Sequence, residues 1–66
     1  MAGQPISKLF GHRQAFVRTL VVAELNASTD WECRFTDEIR ARFELANEGL
    51  HLTNQQKRAL QRIAHQ

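Results

Sequence analysis

The sequence predicts an all-α domain, a small three-helix bundle that closes with a C-terminal helical hairpin. Three observations carry this. Capping boxes stand at Thr29–Glu32 and Thr53–Gln56, each a hydroxyl and a carboxylate or amide that satisfy free backbone N–H groups. Apolar residues recur at helical spacing after each box. The connection Gly49–Leu52 is short, as an antiparallel pair of helices requires. Helices are expected over about 6–26, 30–48 and 54–65 of one domain, with residues 1–5 a flexible arm.

The first element places Leu9, Phe16 and Leu20 on one face with Ile6, Phe10, Val17 and Val21. Gly11 interrupts it, and a glycine inside a helix costs about 1 kcal/mol relative to alanine. An alternative start after Gly11, with Ile6–Phe10 folded back as a turn, fits the same residues. The β-branched cluster Thr19, Val21 and Val22 leaves a strand open as a competing form. Arg13 and Glu24 fall inside the apolar stripe. A charge there either snorkels to water or marks a surface meant for another chain, which Val22, Ala23 and Leu25 would extend. Arg13, Arg18 and Glu24 are therefore the candidate partner-binding residues.

In the second element Trp31, Phe35, Ile39, Phe43 and Ala46 form an apolar stripe. Asp30 complements the helix dipole, and Asp30/Arg34, Arg34/Glu38 and Glu38/Arg42 are opposite charges four residues apart. Gly49 is placed for a left-handed stop that would bring Leu50 against Leu45. The aromatic residues sit at core spacing, with Trp31 at the helix start the one open to partial exposure. In the third element Ala59, Leu60, Ile63 and Ala64 are the apolar edge. Arg58, Arg62 and His65 share the opposite face, with Lys57 to the side. A solvated face explains such a stripe, and phosphate positioning is the competing explanation.

Composition limits the function. Nineteen Leu, Ile, Val, Phe, Trp and Met residues in a chain of 66 supply one modest core. Cores of this size contribute about 3–5 kcal/mol, so a bound partner or a homodimer is expected. Nine Lys and Arg against seven Asp and Glu give a net charge of +2, which permits nucleic-acid contact without requiring it. A single cysteine, Cys33, excludes an internal disulfide and fits a cytoplasmic protein; no segment reads as a membrane span. His12, His51, His65 and Cys33 lack metal-ligand spacing, so neither metal nor cofactor is expected. Asp37 and Glu38, adjacent in sequence, point about 100° apart on a helix and do not form a catalytic pair. Three short helices enclose little volume for chemistry, and no enzyme activity is expected.

From Trp31 to Ile63 the chain resembles a helical-hairpin pattern of phage and bacterial proteins of nucleic-acid machinery. The pattern reads W-x3-F-x3-I, a Gly turn, then L-T-x2-Q-x3-L-x-R-I. It is carried here by Trp31, Phe35, Ile39, Gly49, Leu52, Thr53, Gln56, Leu60, Arg62 and Ile63. The small size is similar in style to phage accessory proteins, including anti-CRISPR and host-takeover inhibitors, which occupy a partner's surface. The resemblance implies a helical hairpin associated with nucleic-acid machinery. With the absence of a catalytic site, the leading expectation is a non-enzymatic binding protein that modulates a nucleic-acid-processing complex by protein–protein contact. Direct DNA or RNA binding through Lys57, Arg58, Arg62 and His65 is the alternative, and a homodimer scaffold a third.

Overall fold

Gly11 decides how the chain begins. In a computed structural model, which describes residues 3–66, the expected first helix is broken in two. Helix α1 (Ile6–Phe10) ends at Gly11, whose φ of 90° lies where a side chain would be strained. Helix α2 (Arg13–Asn26) starts afresh, capped by His12, whose Nδ1 accepts the Ala15 N–H at 3.2 Å. The later start therefore applies. The strand form of 19–22 does not occur, because all four residues lie within α2.

The arm is also corrected in part. Met1 and Ala2 fall outside the described residues, but Gln4–Pro5 (β1) pairs antiparallel with His51–Leu52 (β2), Gln4 opposite Leu52. Ile6 N–H adds a bond to the Leu50 carbonyl at 3.1 Å. Gly3 lies so close to the Leu52 backbone that a Cβ would collide with it. The short ladder ties the beginning of the described chain to the connection between the last two helices.

Helix α3 (Asp30–Ala46) opens on its predicted box: Thr29 Oγ1 accepts the Glu32 N–H at 3.0 Å, and Glu32 Oε1 accepts from Thr29 N at 3.4 Å and Ser28 N at 2.9 Å. The helix stops before its predicted end. Asn47, with φ 52°, takes the left-handed position expected at Gly49, and a 3-10 turn covers Asn47–Gly49. Arg13 Nε donates to the Asn47 Oδ1 at 2.9 Å. Leu45 is left 90% exposed, while Leu50 turns into the core. Helix α4 (Asn54–Ala64) repeats the box with Thr53 and Gln56. At its other end Asn26 Nδ2 donates to the carbonyls of Ile63 and Ala64, at 3.3 and 3.0 Å, groups that a helix end leaves free.

The bundle is all-α, with α2 at its centre. Helix α4 packs chiefly on α2, as do α1 and α3 less extensively, while α3 and α4 meet little directly. The segment Thr29–Ala64 is thus two capped helices joined by a tight connection, held together through α2. Ile6, Phe16, Leu20, Ala23, Ile39, Phe43, Leu50, Leu52, Leu60 and Ile63 form one buried cluster. Phe16 lies at its middle, edge-on to Phe10 at 5.4 Å and tilted against Phe43 at 5.1 Å. Thr36 is the buried polar side chain; its hydroxyl is satisfied by the Glu32 and Cys33 carbonyls at 3.0 and 3.1 Å.

Phe16→Ala is expected to cost about 3–5 kcal/mol, comparable to all that a core of this size supplies. Far-ultraviolet circular dichroism should show the variant largely unfolded at 25 °C, whereas Leu45→Ala should shift the urea midpoint by no more than about 0.5 kcal/mol in stability.

Candidate functional site

Helix α2 presents two faces. With about 100° of rotation per residue, Phe16, Leu20 and Ala23 turn inward and are fully buried. Gln14, Arg18, Val21, Val22 and Leu25 turn to solvent. Leu25 is 79% exposed and Val21 and Val22 about half as much, so an apolar ridge runs along the outer side of the central helix. Arg18 sits three and four residues before the two valines, at one end of the ridge. Ala23, expected on this surface, belongs to the core instead.

The structure separates the three candidate partner-binding residues. Arg13 lies with its guanidinium 5.2 Å from the centroid of the Phe43 ring, as well as bonded to Asn47. Glu24 receives a two-pronged pair from Arg40, Nε to Oε2 at 2.9 Å and Nη2 to Oε1 at 2.7 Å. The hydrogen bonds that Arg40 donates to Glu24, with the carboxylate's charge, raise the Arg40 pKa above its ordinary value against the opposing effect of burial. Both charges in the apolar stripe therefore have internal partners, α2 to the α3 terminus and α2 to α3. Internal partners thus account for both charges, and of the three candidates Arg18 is the one without a side-chain partner among the described residues. The ion pairs four residues apart along α3 do not close; among the described residues Glu24–Arg40 is the pair within 4.0 Å.

Helix α4 carries no Asp or Glu. Arg58, Arg62 and His65 are exposed on one side, with no side-chain bond among the described residues. Lys57 points elsewhere, its ammonium 5.8 Å from the Phe10 ring centroid. Of the four alternative nucleic-acid-binding residues, three thus share a face and the fourth braces α1.

A groove adjoins this face. Trp31 and Phe35 stack with ring centroids 5.1 Å apart and planes 6° from parallel. Trp31, the one aromatic residue left open to partial exposure by its place at the helix start, is 55% exposed. Together with Thr53, Gln55, Gln56 and Ala59 the two rings line a volume of about 370 Å³ between the start of α3 and the start of α4. A smaller depression beside it is formed by Gln55, Arg58, Ala59 and Arg62. Near the far end of α4, Gln66 Nε2 donates to Glu32 Oε2 at 2.8 Å. That bond, and above all the Ser28 N–H, hold the Glu32 carboxyl below its ordinary pKa.

Among the described residues no three His, Cys, Asp or Glu side chains come together as a metal site. His12 is a helix cap, His51 Nδ1 lies 2.8 Å from the Gly49 carbonyl, and Cys33 is exposed. No described helix is long and apolar enough to cross a membrane. Comparison with family models, curated proteins and solved structures finds no match for the chain.

The internal role of Glu24 is open to a charge exchange. Glu24→Arg should lower stability by about 1 kcal/mol, a value already reduced for the partial exposure of both side chains. Adding Arg40→Glu should recover most of the loss in urea denaturation; two additive losses would show that the pair does not couple.

Proposed function

We propose that this chain is a non-enzymatic binding protein that lays the outer face of α2 into an apolar groove on another protein. The observation that carries this reading is the exposure of Leu25, Val21 and Val22 on the helix whose other face holds the core together. The ridge is not needed to complete the fold, since the buried cluster closes without it. Its spacing, with anchors three and four residues apart, is that of helices recognised in grooves.

The charge on the ridge favours a different protein over a second copy. Two copies of α2 paired antiparallel about Val21 and Val22 would press Arg18 against Leu25 of the second chain. Paired in parallel they would oppose Arg18 to Arg18. Either desolvates a guanidinium without a carboxylate to meet it. A partner with an apolar groove and an acidic rim satisfies both features. Placement of that partner in a nucleic-acid-processing complex rests on the resemblance of Trp31–Ile63, and the likeness to phage accessory inhibitors on size and style alone.

The test is affinity capture with three baits: the unaltered protein, Leu25→Glu, and Arg58→Gln/Arg62→Gln. One protein in stoichiometric amount should be held by the first and third and released by Leu25→Glu, with at least about a 30-fold loss of affinity for a central anchor. Retention of that protein by Leu25→Glu, at unchanged helicity, would refute the assignment. A dimer mass in sedimentation that Leu25→Glu converts to a monomer would give the face to a second copy instead.

A further inference from the structure

We propose that the groove between α3 and α4 binds single-stranded nucleic acid, with one base stacked on Trp31 and the neighbouring phosphates held by Arg58 and Arg62. This goes beyond the α2 reading and does not depend on it, because it uses different side chains on different helices.

The argument begins with the Trp31 ring. One face is covered by Phe35 in near-parallel contact, and the side chain is nevertheless 55% exposed, which leaves the other face to solvent. A ring held flat by a second ring is a stacking platform whose geometry is set before a ligand arrives. Its conformational entropy is already lost to the Phe35 contact, so less is lost on binding. Every base offers a π-face to such a platform, and stacking of this kind tolerates any sequence. A duplex hides those faces in its own stack.

Charge adds to the case for a nucleic acid. Gln55 and Ala59 belong both to the aromatic groove and to the depression that holds Arg58 and Arg62, so the two form one continuous surface. The arginines are four residues apart on one side of α4 and have no side-chain partner among the described residues. Gln55, exposed between ring and guanidinium, offers an amide to a base edge. Among the described residues no carboxylate lines either part of the surface. Six of the seven acidic residues lie between Asp30 and Glu48. Asp30 and Glu32 flank Trp31 but are turned about 100° to either side of it, with Glu32 held by Ser28 and Gln66. Glu38, on the same side as Trp31, lies about 10 Å further along. The surface thus joins an aromatic plane to phosphate-binding cations, the pair of features by which proteins hold single strands.

Trp31 is the chain's one tryptophan and there is no tyrosine, so fluorescence reports this site directly. Titration of the full chain with a twelve-residue oligo-dT at 50 mM salt should quench the emission saturably. Two phosphate contacts on a single strand give a slope of log affinity against log salt of about −1.4. Arg58→Gln/Arg62→Gln should weaken binding at least tenfold with helicity retained, and Trp31→Ala, followed by anisotropy of a labelled strand, at least about fivefold. Absence of quenching at low salt would overturn the proposal. So would binding of the strand without quenching, which would mean contact through the backbone alone. Equal quenching by a duplex of the same length, or by poly-glutamate of the same charge, would also overturn it, the latter giving the groove to acidic peptides.

Discussion

The structure depends on α2 lying at the centre of a domain too small for any other helix to take that place. Helices α1, α3 and α4 each pack against it, and the first and last, of five and eleven residues, are too short to persist alone. One face of α2 must therefore supply Phe16, Leu20 and Ala23 to every neighbour at once. The polar contacts follow the same plan. Asn26 holds the end of α4, Glu24 holds α3 through Arg40, and Arg13 holds the end of α3 through Asn47. Three side chains that interrupt an apolar helix are thus the fasteners between it and the rest.

That arrangement explains what could be read from the residues and what could not. The two capping boxes are local, each within four residues, and their geometry appears as predicted at Thr29 and Thr53. The all-α class followed from them. Arg13 and Glu24 were conspicuous for the right reason, charge in an apolar stripe, but their partners lie 34 and 16 residues away. Nothing local distinguishes a distant internal partner from a foreign one. The central position of α2 has the same origin: a short connection between α3 and α4 suggests that they pair, yet α2 is the more apolar surface for both.

The exposure of Trp31, which its place at the helix start left open, has a simple geometric cause. Residues spaced by four advance about 40° per step on a helix of 3.6 residues per turn, so a stripe of fours winds around the cylinder. Ile39 and Phe43 stay within the core, and Trp31, two steps back from Ile39, has turned out of it. The same drift, counted on the sequence, could have marked Trp31 as a surface residue. The stop at Asn47 had less warning, and the Arg13 side chain that bonds to it lies 34 residues away.

Two surfaces remain after the core has been satisfied: the apolar ridge of α2 and the aromatic groove with its basic margin on α4. They lie on separate sets of side chains. Both are presented by elements that α2 fixes in place, so the central packing underlies either function.

Native-state amide hydrogen exchange tests that packing most directly. The slowest amides should lie in the interior of α2, between Val17 and Ala23, and should exchange only with global unfolding. Slowest exchange in α3, with α2 opening at lower free energy, would contradict the central place given to α2.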